Sequence, residues 1–137
     1  MIFIIEDNEV MARCLAEAAR KGLRGKKREE GGASRIAGKT EVKADNVRIY
    51  HNAYEAMEGL VDGVPELIFL DILLDGVDGF TFLHEIMSYE DTAKIPVVLV
   101  TSLAVKGDLS TYGVVGVLNK ETMTPKEIEV YVRKYTK

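Results

Sequence analysis

The sequence predicts an α/β domain in which helices cover both faces of a parallel sheet. Short apolar runs at Met1 to Ile5, Leu67 to Leu70, Ile95 to Val100 and Val114 to Leu118 are continuous rather than alternating. Continuous runs are expected of strands buried on both faces. Segments with helical spacing separate them, giving five strand–helix alternations once the weaker Val47 to Tyr50 strand is included. Four of the five strands also end on a reactive group: Glu6/Asp7, Asp71, Thr101 and Lys120. Ligands of such sheets bind beyond the carboxyl ends of the strands.

The first strand stops at Glu6-Asp7-Asn8, and Asn8 is placed to cap a helix over Glu9 to Lys21. Val10, Met11, Cys14, Leu15 and Ala18 form the apolar stripe expected to face inward. After the second strand, Ala53 to Val61 reads as a helix burying Ala53, Ala56, Met57, Leu60 and Val61. Glu66 to Asp71 is a strand that ends in an acid. The Gly-rich turn Asp75 to Gly79 then opens a helix with Phe80, Leu83, Ile86 and Met87 inward. The fourth strand ends at Thr101-Ser102. Leu103 to Tyr112 is the poorest segment, because Gly107 breaks any helix there. The last strand ends at Asn119-Lys120. Thr124-Pro125-Lys126-Glu127 has capping-box spacing with proline at the first helical position, and Ile128, Tyr131, Val132 and Tyr135 follow the helical period.

Residues 22–46 break this rhythm, since connections in compact domains usually run to about 2–6 residues. The segment is rich in glycine and charge and is expected to be a flexible basic insertion in one domain spanning 1–137, with a small hairpin around Arg35 to Val42. Residues 21–46 hold eight Lys/Arg and four Asp/Glu, a balance of +4, whereas the other residues hold ten and eighteen, a balance of −8. An acidic body argues against the whole domain being a nucleic-acid binder, while the basic segment reads as a solvated loop, with a contact for an acidic partner or nucleic acid as the alternative. No apolar run is long enough to span a bilayer. The single Cys14 cannot form an internal disulfide, which points to a reducing cytoplasm. Ala33 to Thr40 nearly matches a phosphate-binding loop, but no buried strand precedes it. His51 and His84 are isolated and read as structural or surface residues.

Carboxylates converging at one site repel unless a cation joins them, and hard oxygen ligands suit Mg²⁺ or Mn²⁺. A converging lysine neutralises phosphoryl oxygens, a threonine hydroxyl donates to one, and a carboxylate can be the nucleophile that forms an acyl phosphate. Taken together, Ile4-Ile5-Glu6-Asp7-Asn8, the run from Leu70-Asp71 to Asp78-Gly79-Phe80, Ile95-Pro96 to Thr101-Ser102, and Gly116 to Lys120 resemble the receiver domains of two-component signalling. The resemblance implies a doubly wound, flavodoxin-like receiver fold of five parallel strands in the order 2-1-3-4-5. It implies that Asp71 is the phosphoacceptor and that Asp7 and Asp71 ligate Mg²⁺ directly. Glu6 would help to hold the metal, and Leu73 would contribute its backbone carbonyl. Thr101 would sense the phosphoryl group and Lys120 would pair with it. The implied partners are a histidine kinase or histidine phosphotransfer protein and a downstream protein; a homodimer is allowed, and no membrane is involved.

Departures from the family pattern are Asp75 and Glu121 where proline is common, a short Thr101 to Lys120 stretch, and Val117 where a switching aromatic is usual. Of these, Val117 and Glu121 weigh for a phosphorylation-independent interaction module as the alternative to a signalling switch, against the intact set of Glu6, Asp7, Asp71, Thr101 and Lys120. A hydrolase using Asp71 as phosphoenzyme nucleophile is disfavoured, because Leu73 stands where its partner acid is expected.

Overall fold

The computed structural model describes residues 1–30, 46–74, 79–102 and 113–137, with backbone alone for 26–30. The expected hairpin at Arg35 to Val42, the stretch Ala33 to Thr40, Asp75 and the segment from Leu103 to Tyr112 lie outside the described residues. Five strands, β1 (Ile2–Ile5), β2 (Val47–Tyr50), β3 (Leu67–Asp71), β4 (Val97–Thr101) and β5 (Val114–Asn119), pair in parallel in the order β2-β1-β3-β4-β5. This is the order the resemblance implied. Four described helices, α1 (Glu9–Glu30), α2 (Ala53–Asp62), α3 (Gly79–Met87) and α4 (Pro125–Tyr135), lie on its two faces.

Alternation along the strands builds two cores. Ile2, Ile4, Leu67, Phe69, Val98, Val100 and Leu118 pack with α1 and α4. Phe3, Ile5, Ile68, Leu70, Val97 and Leu99 pack with α2 and α3. Both faces of the three central strands are therefore covered, which explains their unbroken apolar runs.

The helix starts follow the sequence. Asn8 Oδ1 accepts from Met11 N at 2.9 Å, and Thr124 and Glu127 form the capping box with Pro125 at the start of α4. The end of α1 does not follow it. The helix runs on through residues 22–30, which were expected to begin the insertion. Gly22 does not end it because α4 lies against it: a Cβ there would stand 3.0 Å from Val132 Cβ. Tertiary packing outweighs the helix-breaking tendency of about 1 kcal/mol per glycine. The inward face of α1 is also rotated from the expected stripe. Ala12, Leu15, Ala16, Ala18 and Ala19 are buried, while Val10 and Cys14 are exposed. On α2, Val61 points outward, and on α3 the exposed Phe80 yields the core position to Phe82.

Gly79 starts α3 directly over the end of β3. Its N–H donates to Ile72 O at 2.8 Å, and a Cβ would fall 2.6 Å from Ile72 Cα and 2.7 Å from Asp71 O. Gly79→Ala should therefore destabilise the fold by about 1–3 kcal/mol, measured by urea unfolding. An unchanged midpoint would show that the backbone of β3 is free to move aside.

Candidate functional site

Strand parity decides which side chains meet at the carboxyl edge of the sheet. Glu6 continues the alternation of Ile2 and Ile4, and Asp71 that of Leu67 and Phe69, so both lean toward the α1/α4 layer. The β1–β3 register pairs Ile5 with Leu70, which sets the next residues, Glu6 and Asp71, side by side. Lys120 continues the parity of Leu118 one step beyond β5. Its Nζ donates to Glu6 Oε1 at 2.8 Å and to Asp71 Oδ2 at 2.9 Å. The other Asp71 oxygen, Oδ1, accepts from Leu73 N at 3.0 Å. Thr101 is fully buried at the end of β4, and its carbonyl accepts from Lys120 N at 3.0 Å.

Glu6, Asp7 and Asp71 each offer an oxygen within 4.8 Å of the others. Sequence analysis thus named residues that the fold brings together: Glu6, Asp71 and Lys120 in direct contact, Asp7 and Thr101 at the same edge. Leu73 reaches the site through its backbone N–H, with its side chain exposed.

Two contributors were not assigned to the site from the sequence. Asn119 Oδ1 accepts from Glu121 N at 2.8 Å, and its carbonyl accepts from Thr122 N at 3.2 Å and Met123 N at 2.8 Å. This closes the turn that presents Lys120. An asparagine directly after an apolar run is the available signal, because its side chain mimics a backbone turn. Every peptide bond among the described residues is trans, so the turn at Glu121 holds without the proline common in the family. The second is His51, read as a structural or surface residue, whose Nδ1 lies 3.1 Å from Glu6 O.

Burial pushes the Glu6 carboxyl from 4.5 up to about 7, and the adjacent Asp71 carboxyl adds to this, against the opposing pull of Lys120. For Lys120, burial works to lower the pKa, but hydrogen bonds to Glu6 and Asp71 outweigh it and the value is raised. Glu6 Oε2 is buried with no hydrogen-bond partner among the described residues. An orphaned buried carboxylate oxygen is costly in a native fold. Together with Asp7 and Asp71 it fits a hard divalent cation: three carboxylates and one ammonium leave a formal charge of −2.

The response regulator receiver domain model matches residues 34–133. The chain belongs to this family. It is 35% identical over 65 residues to the response regulator PleD of Caulobacter vibrioides, a match covering 43% of this chain and 14% of that protein. It is 39% identical over 54 residues to protein-glutamate methylesterase/protein-glutamine glutaminase 4 of Anaeromyxobacter dehalogenans, covering 39% and 14%. The matched part is thus a small fraction of these relatives' length. In fold, the receiver domain is similar to a sensor protein from Polaromonas sp. JS666, with TM-score 0.73 and 18% identity over 98% of this chain and 93% of that one. It is also similar to the Mn(2+)-bound form of response regulator Rcp1, with TM-score 0.62 and 23% identity over 97% and 88%. Among the described residues, no helix of the receiver domain is long and apolar enough to cross a membrane.

The raised Glu6 pKa sets a pH dependence. The folded chain holds this proton more tightly than the unfolded chain. The resulting stabilisation is full below about pH 4.5 and is lost as pH rises through about 7. In metal-free protein the melting temperature should fall between these values, and Mg²⁺ should raise it more above pH 7 than near pH 5. Glu6→Gln should flatten the metal-free profile. A native profile that stays level across this window would contradict the assignment.

Proposed function

We propose that this receiver domain accepts a phosphoryl group on Asp71 from the phosphohistidine of a histidine kinase or histidine phosphotransfer protein, and that it signals to a downstream protein. The observation that carries this reading is the Lys120 ammonium bridging Asp71 and Glu6 beside an orphaned carboxylate oxygen. A structural ion pair would leave neither a third carboxylate nor an unpaired oxygen at the same edge.

Asp7, Asp71, the Leu73 carbonyl and Glu6 would hold Mg²⁺ or Mn²⁺. Such an ion supplies charge neutralisation at phosphoryl oxygens and orients the phosphoryl group for in-line transfer. A carboxylate oxygen of Asp71 attacks phosphorus while the P–N bond to the donor imidazole breaks. The electron pair leaves with the nitrogen, which takes a proton from solvent. Lys120 then turns from a carboxylate partner into a phosphoryl partner, a shift that its flexible stem permits. The Thr101 hydroxyl donates to another phosphoryl oxygen. No external substrate is turned over, so the domain catalyses only its own phosphorylation and the reverse loss to water.

Incubation with a small-molecule phosphodonor and Mg²⁺ should add one phosphoryl mass to the intact chain and none to Asp71→Asn. Asp7→Ala should largely abolish Mg²⁺ binding measured by calorimetry. The alternative, a phosphorylation-independent interaction module, draws on the half-exposed Val117 of β5, whose few rotamers make a poor switch. That alternative predicts no mass increase in either protein.

Leu73, exposed beside Asp71, cannot orient an attacking water by hydrogen bonding. Self-dephosphorylation should be slow and should accelerate in Leu73→Asn. Phosphate release from the native domain within seconds would contradict this.

A further inference from the structure

The α2/α3 layer carries a feature that phosphoryl chemistry does not use. Residues 49–93 contain ten Asp/Glu and no Lys or Arg. Within that stretch, α2 and α3 leave a groove of about 350 Å³ between them. Ala53 and the buried Phe82 form its floor, Tyr54 and Met57 one wall, and Thr81 and Glu85 the other. Tyr54 is 68% exposed, and Val61, 87% exposed, extends the α2 wall. Tyr54, Met57 and Val61 follow the spacing i, i+3, i+7, an apolar stripe about two helical turns long. Exposed Glu58 and Asp62 flank it on α2, as Glu85 does on α3.

We propose that this groove docks a basic amphipathic helix of a partner protein. Apolar side chains one turn apart would enter between Tyr54, Met57 and Phe82, and Lys or Arg on their flanks would meet Glu58, Asp62 and Glu85. Nucleic acid and anionic lipid surfaces are repelled by a groove whose described lining and flanks carry carboxylates and no cation. A second copy of the chain is a poor occupant. Its basic helix, α1, has Ala12, Leu15, Ala16 and Ala19 buried in its own core, and among its described residues Val10 is the one exposed large apolar side chain, too few to fill a groove two turns long.

The test titrates the full isotope-labelled chain with a synthetic Leu/Lys amphipathic helix of about 18 residues, with Leu/Glu and Ser/Lys versions as controls. The expected result is saturable binding of the Leu/Lys helix alone, with amide shifts concentrated at 53–61 and 80–86 and weakened by added salt. Tyr54→Ser, and separately Glu85→Lys, should weaken binding by roughly three- to tenfold. Both sites are exposed, so circular dichroism should show an intact fold. Shifts centred on Glu6, Asp7 and Asp71, or undiminished affinity in both variants, would overturn the proposal. So would a dimer of the chain in sedimentation that Glu85→Lys disperses, because a second copy would then be the occupant.

Discussion

Two carboxylates, Glu6 and Asp71, are buried side by side at the end of the sheet, and the Lys120 ammonium between them makes this tolerable. Burying one carboxylate without a partner costs several kcal/mol, and a second beside it adds repulsion. The ammonium offsets part of that cost. Glu6 takes up the remainder as a raised pKa and an unpaired oxygen. The site is thus stable enough to fold and incompletely satisfied, the condition under which a divalent cation and a phosphoryl group gain most by binding.

The architecture around the site serves this contact. Parallel pairing puts every strand's carboxyl end at one edge, and the β1–β3 register makes Glu6 and Asp71 neighbours. A one-residue slip of β3 would turn Asp71 toward the opposite layer. Gly79 allows α3 to start against the backbone of Asp71 and Ile72, while Asn119 closes the turn that aims Lys120. These two residues touch neither phosphate nor metal in the proposed chemistry, yet they fix the carboxylate and the ammonium that do.

Much of this was legible in the sequence. Buried parallel strands advertise themselves as continuous apolar runs, and the caps at Asn8 and Thr124 carry their own chemistry. The reactive strand ends were legible for the same reason, since an acid or lysine directly after such a run must lie at the sheet edge. What escaped depends on contacts distant in sequence. Gly22 reads as a helix breaker unless Val132 is known to lie against it. Val10 and Cys14 look like core residues, yet Ala12, Ala16 and Ala19 face inward, because small side chains let α1 lie close to the sheet and α4. The contact between Lys120 and Glu6 joins residues 114 positions apart and has no local signature.

A double-mutant cycle on Glu6 and Lys120 probes the buried triad most directly. Urea unfolding of metal-free native protein, Glu6→Gln, Lys120→Met and the double variant above pH 7 isolates their coupling. Lys120→Met is expected to cost about 1–3 kcal/mol more in the native background than in Glu6→Gln. Equal costs in the two backgrounds, within about 0.5 kcal/mol, would contradict a site held together by that ammonium.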